Sequence, residues 1–335
     1  MEGSGLIFAP RGTCSVKSRA TFILLSVAVL LAPVGVGAKL CGDNVGGQDV
    51  PCACGDTVVS SLSLGDDPVL DGVCPADGLI VRVPSGSPGV TVDLQGKTLQ
   101  GSGNGAGVWV ITGGVGGARV VSTGGPATIE GFRDGILGHG ADAVRLIDGI
   151  VVLQSTRDGM RVGGENYEIR NSEVRNSGRD GYGAMGKGFH LTAIRAVHSG
   201  RFAYFVMGQD ASLGSPGAGI VADGSGAAGF AVMGMGHHLI DCTVSGSGKE
   251  GIHLNGMHYE IRGCQVRGSG GDGIGGMGMD WTFGGDQAID NDGNGILVGG
   301  HDVVDAGGNS GSGNRGLRQQ RPAVQCEIDG QPCRP

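Results

Sequence analysis

Apolar positions along this chain recur with a period near 22 residues, and within each period they alternate. GKEGIHLNG at 248–256 is followed 22 residues later by GGDGIGGMG at 270–278, with the glycines and the isoleucine in the same places. With Gly251 and Gly273 as register marks, equivalent marks fall at Gly135, Gly159, Gly181, Ala203, Gly229 and Gly295, in steps of 24, 22, 22, 26, 22, 22 and 22. The first position after each mark is Ile136, Met160, Tyr182, Tyr204, Phe230, Ile252, Ile274 or Ile296, and the third is mostly apolar: Val162, Val206, Val232, Leu254 and Val298. Between them stand Leu137, Arg161, Gly183, Phe205, Ala231, His253, Gly275 and Leu297, a mixed set suited to solvent. This alternation predicts a short strand with one buried face.

Five residues after every mark comes a glycine, from Gly140 through Gly164, Gly186, Gly208, Gly234, Gly256 and Gly278 to Gly300. Glycine is about a fifth of the chain, so composition does not produce eight hits in register; a recurring corner does. A second apolar pair follows eight and ten residues after the mark, as in Tyr167 and Ile169, Phe189 and Leu191, Tyr259 and Ile261, and Trp281 and Phe283. A third apolar site follows at Val174, Ala196, Val244, Val266 and Ala288. Three short strands in 22 residues leave no room for a crossover helix. Such a unit buries its apolar face only against copies of itself, which predicts parallel strands stacked about 4.8 Å apart in a solenoid.

Units of the form S-G-x-D-G-I-x-V-x-G resemble the repeats of right-handed parallel β-helix proteins, the pectin-lyase-like fold family. The likeness runs over most of residues 78–316. The upstream CACGDTVVSSLSLGDDPVLDGVCPADGLIVRV and VTVDLQGKTLQGSG resemble the cap and first coils of secreted members. The expected fold is therefore an all-β, single-stranded right-handed parallel β-helix of roughly ten coils. Its expected parts are a signal peptide (1–38), a disulfide-rich N-terminal cap (39–77), the repeats (78–316) and a C-terminal tail (317–335). The resemblance implies a carbohydrate-related, extracellular setting and is uninformative about activity.

Composition adds the compartment. Arg11, Lys17 and Arg19 precede an uncharged run over 20–38 ending Val36-Gly37-Ala38, which reads as a secretory signal cleaved after Ala38; an uncleaved anchor is the rival. Removing those three bases and Glu2 takes the formal charge from −8 to −10, which argues against nucleic acid as a partner. Eight cysteines remain, an even number suited to disulfides. Cys41, Cys52, Cys54 and Cys74 belong to the cap, with their connectivity open. Cys242 and Cys264 share one repeat position, nine before a mark, and form either a bridge or a buried thiol stack. Cys326 and Cys333 frame a closing loop. The expected protein is secreted or cell-envelope, without a membrane span once the signal is cleaved, and monomeric.

Four ladders could carry chemistry, because a solenoid repeats one side chain per coil. Arg133, Arg157, Arg179 and Arg201 stand two before successive marks, three of them followed by Asp134, Asp158 and Asp180; they form either a groove for an anionic glycan or a row of Arg–Asp turn pairs. Asp142, Asn166, Asp210, His258, Asp280 and Asp302 stand seven after the mark, where turn chemistry is the main reading. Calcium, the one cofactor considered, would sit at Asp280 and Asp302. Glu168 beside His190, and His238 beside Glu260, could act as acid/base pairs. Met185, Met207, Met233 and Met277 flank the corner glycines and are expected to pack there.

Motifs of the enzymes in this fold family are incomplete. Gly138-His139-Gly140 matches one polygalacturonase element, but no Arg-x-Lys follows, and His139 reads as a turn residue. The Asp-Pro-His signature of alginate epimerases is absent, Asp67-Pro68 being followed by Val69. The mixed outer column offers no acidic cluster of the pectate-lyase kind. The expectation is a non-catalytic module that contacts polysaccharide. The alternatives are a polysaccharide lyase or glycoside hydrolase using Arg157, Arg179, Glu168 and His190, or a structural assembly protein.

Overall fold

The computed structural model describes residues 38–111, 116–140, 143–316 and 326–333. The expected signal peptide, Asp142 and most of the C-terminal tail lie outside these residues. Within them the chain is a parallel β-solenoid of about eleven turns, with one short 3₁₀ segment, Pro68–Leu70, as its helix content. The strands make three sheets, of 15, 11 and 11 strands among the described residues.

One coil shows how the sequence builds the rest. Tyr182–Lys187 lies in the first sheet, His190–Thr192 in the second and Arg195–Val197 in the third. Each pairs in parallel with its counterparts one coil before and after: Tyr182 opposes both Met160 and Tyr204. The alternating positions point inward as expected, with Tyr182, Tyr204, Phe230 and Ile252 at most 1% exposed. Registered aromatics stack along the column. The rings of Tyr182 and Tyr204 are 5.1 Å apart, those of Tyr204 and Phe230 4.5 Å, and Tyr167 and Phe189 4.9 Å on the second sheet.

The glycines divide into two roles. A Cβ on the mark Gly159 would lie 2.1 Å from Val174 Cγ1, so this column is small to admit the third-strand side chain. A Cβ on the corner Gly186 would lie 1.8 Å from the Gly164 carbonyl oxygen of the preceding coil. The bend itself falls two residues later than the sequence placed it. Asn166, Asp210, His258, Asp280 and Asp302 hold φ between 51° and 59°, and Gly188 and Gly236 fill the same place at 65° and 71°. Asn, Asp and Gly tolerate this left-handed geometry best, which accounts for the ladder's composition.

Both ends of the first sheet are finished by antiparallel hairpins. Leu40–Val45 with Gln48–Val50 closes one end, and Cys326–Ile328 with Gln331–Pro332 the other. The open connectivity of the cap resolves into Cys41–Cys52 and Cys54–Cys74, and Cys326–Cys333 ties the second hairpin. Cys242 and Cys264 are bridged, with Cα atoms 4.4 Å apart in adjacent coils.

Candidate functional site

The arginine ladder is paired with its own carboxylates. Three of the four guanidinium groups reach back one coil in a two-pronged contact. Arg157 donates to Asp134 at 2.9 and 2.8 Å, Arg179 to Asp158 at 2.8 and 2.6 Å, and Arg201 to Asp180 at 2.8 and 2.5 Å. Arg133 leans on Asp134 at 3.0 Å. The three aspartates are buried, whereas the arginines keep a third or more of their side chains in solvent. The hydrogen bond to its aspartate holds each of Arg179 and Arg201 above the ordinary guanidinium pKa. The row is thus a stack of Arg–Asp staples between coils.

Glu168 and His190 are direct partners on neighbouring strands of the second sheet, and Glu168 takes a hydrogen bond from Arg170 at 3.2 Å. His238 Nδ1 and Glu260 Oε2 are 2.9 Å apart in the equivalent place, with Arg262 also on Glu260. Those two partners lower the Glu260 pKa, His238 first. Arg157 and Glu168 lie at opposite ends of the strand Met160–Glu165, about 20 Å of extended chain. The four proposed catalytic residues therefore do not form one centre. Asp280 Oδ2 lies 3.1 Å from His258 Nδ1, and Asp302 occupies the same bend one coil on. Among the described residues no group of three His, Cys, Asp or Glu side chains converges as a metal site.

Two sequence readings are corrected. His139 is the last residue of the strand Asp134–His139, in the outer column opposite Gly163, and not a bend residue. Desolvation and the nearby Arg161 and Arg157 push its pKa down. Of the four methionines expected to pack, Met185 and Met233 are half-buried, whereas Met207 is 43% and Met277 74% exposed, because their column faces outward.

Two adjoining hollows lie elsewhere, on the outer face of the first sheet. After Arg201 the carboxylate column is interrupted by Phe202 and Ala228. The Arg201 guanidinium, paired on one side with Asp180, lies 4.6 Å from the Phe202 ring centre and 5.6 Å from that of Phe205. From there the outer column runs Phe205, Ala231, His253, Gly275, Leu297 on successive strands. Large residues stand as posts and small ones leave hollows between them.

Two hollows result. One, of about 410 Å³, is lined by Arg201, Phe202, Ala231, Lys249, Glu250 and His253. The other, of about 460 Å³, is lined by His253, Asn255, Asp272, Met277, Leu297 and Glu327 among others. They share His253. Asp272 is oriented by Asn294, whose backbone and side-chain N–H groups donate to Oδ1 at 2.7 and 2.9 Å. The trough crosses five strand positions from Phe205 to Leu297, about 20 Å at 4.8 Å per strand. Along it lie ring faces, two cations, an imidazole, an amide and three carboxylates. Sequence reading missed it; the visible signal was the large–small alternation in the outer column.

No family model matches this chain, and no curated protein matches it. Solved structures with a similar course include the A-module of the Azotobacter vinelandii mannuronan C-5 epimerase AlgE6, at 15% identity and a TM-score of 0.42, covering 77% of this chain and 75% of that one. The AlgE4 A-module from the same organism follows at 16% and 0.34, over 77% and 76%. The periplasmic alginate epimerase AlgG stands at 11% and 0.38, over 84% and 78%. At TM-scores below 0.5 the likeness carries no argument about this chain, and no residue role is carried across.

Proposed function

We propose that this protein binds an extended acidic polysaccharide outside the cytoplasm, along the trough on the outer face of the first sheet. The observation that supports this most is the pair of hollows meeting at His253, with Arg201 and Lys249 on one side and the Phe202 ring as a platform beside them. An aromatic face takes the apolar face of a sugar ring, and guanidinium and ammonium groups take carboxylates. A trough of about 20 Å accommodates several sugar residues in line, which suits a polymer better than a small molecule. The four disulfides support an oxidising compartment. No helix among the described residues is long and apolar enough to cross a membrane.

The test is affinity electrophoresis of the protein through gels containing acidic or neutral polysaccharides, with reducing ends and unsaturated uronate followed in the same samples. Retardation by an acidic polymer is expected, weakened at least tenfold by Phe202→Ala combined with Lys249→Ala. The control Arg262→Ala, on the second sheet, should leave retardation unchanged. Retardation insensitive to the trough variants would refute the assignment, and release of product would replace binding with turnover.

A further inference from the structure

Methionine is concentrated on one flank far beyond what packing needs. The chain has nine; besides Met1, which lies outside the described residues, one, Met160, is buried in the core. The other seven stand on the outer side of the first sheet, in two columns either side of the corner glycines. Met185, Met207 and Met233 are in direct register on three adjacent strands. Met235, Met257 and Met279 are in direct register on three adjacent strands, and His301 continues that column on the fourth. Met277 sits two residues before Met279.

An outward column of a β-solenoid is ordinarily filled by side chains with hydrogen-bonding groups, as by Lys187 and Gln209 at the start of this one. Thioethers offer water almost nothing, yet here three follow in order. Met235 and Met257 are half-buried and Met279 is 41% exposed, so these side chains form a partly shielded row open to small solutes. Strand spacing sets successive side chains about 4.8 Å apart. That is close to twice a metal–sulfur bond of about 2.3 Å, so one cation fits between sulfurs of adjacent strands. Thioether sulfur is a soft ligand that selects Cu(I)-like cations over calcium, magnesium or zinc. The imidazole at the column's end supplies a borderline nitrogen donor. No cluster of harder donors competes among the described residues.

We propose that Met235, Met257 and Met279, with His301 at the end of their column, form a site for a soft monovalent d¹⁰ cation, Cu(I) or Ag(I). The site is independent of the polysaccharide trough, lying beyond the corner glycines. Its occupant requires no redox step, since the cation binds and leaves in one oxidation state.

Silver(I) is the probe, in chloride-free buffer, because it needs no reductant. The full chain is used with Cys14→Ser, so that the one cysteine outside the four disulfides does not bind the probe. With methyl-¹³C methionine, stoichiometric Ag(I) is expected to shift the methyl resonances of Met257 and Met279 and to leave that of Met160 in place. Met257→Leu with Met279→Leu keeps side-chain volume and is expected to weaken silver binding at least tenfold. Unchanged disulfide content and circular dichroism separate this from misfolding. Calcium and zinc should not move these resonances. Silver that leaves the methionine methyls unshifted, or binding equal in the double variant, would overturn the site.

Discussion

Asp286 is fully buried between the second and third sheets, and replacing it with asparagine should remove a pH dependence that the wild-type protein carries. Its carboxyl accepts from the backbone N–H of Cys264 at 2.8 Å and of Gly284 at 3.2 Å, but burial dominates and raises its pKa from 3.8 to about 7. Below about pH 4 the group is neutral in both folded and unfolded chains. Between pH 4 and 7 the unfolded chain ionises while the folded one holds its proton. Stability therefore falls as pH rises through that window, by about 4 kcal/mol in total, and is flat above it. An amide keeps one carbonyl acceptor, enough for the shorter bond from Cys264 N–H, and sets an N–H donor where the neutral acid has its O–H. One coil later Asn309 already fills the equivalent place, accepting from Asp286 N–H at 2.9 Å and donating to the Phe283 carbonyl at 3.2 Å. Asp286→Asn should thus match wild type near pH 4 and exceed it by up to about 4 kcal/mol at pH 8. Urea unfolding of both proteins at pH 4, 6 and 8 measures this, with hydrogen exchange at the Cys264 amide as a local readout. His139 and His237, whose burial lowers their pKa values, titrate in the same range with the opposite sign, so the difference between the two proteins is the quantity to read. Parallel pH profiles in the two proteins would refute the reasoning.

Breaking one staple with Asp158→Ala should cost about 1 to 2 kcal/mol, less than for a wholly buried pair because Arg179 is partly solvated, and an Asp158→Ala/Arg179→Ala double-mutant cycle measures the coupling. Gly208→Ala, at φ 144° with a Cβ site 1.8 Å from the Gly186 carbonyl oxygen, should cost more than about 3 kcal/mol in thermal unfolding or abolish soluble protein. Gly299→Ala, with no atom within 4 Å of its Cβ site, should change stability by less than about 0.5 kcal/mol. Removing the Cys242–Cys264 bridge by a double change to alanine should cost about 3 kcal/mol for the 22-residue separation, read in urea under oxidising conditions.

What the sequence disclosed and what it concealed follow from the repeat. Ile252, Leu254 and Tyr259 were legible as core because an inward position is fixed by its place in one coil. The two-pronged contact of Arg157 with Asp134 one coil back, closer than its 3.5 Å approach to the neighbouring Asp158, was hidden, since it depends on how coils stack. The trough was hidden for the same reason: it is a property of Phe205, Ala231, His253 and Gly275 taken across four coils, none of which looks concave alone. Of the seven flank methionines, only four stood out beside the corner glycines. Met235, Met257 and Met279 fall beyond the corner glycine, outside the stretch from which the strand alternation was read.

The paired hairpins at the two ends of the first sheet bear on how such a chain changes length. Each end strand is folded back antiparallel and tied by its own disulfide, so the edge no longer offers the parallel register that a further coil continues. Between them, a whole coil can be gained or lost with every column preserved. Each gain lengthens the outer face by about 4.8 Å, whereas a partial coil throws inward residues out of register. Size is therefore a stepwise variable here, adjustable from the middle and locked at the tips, and the reach of any surface along the flank changes with it in units of one strand.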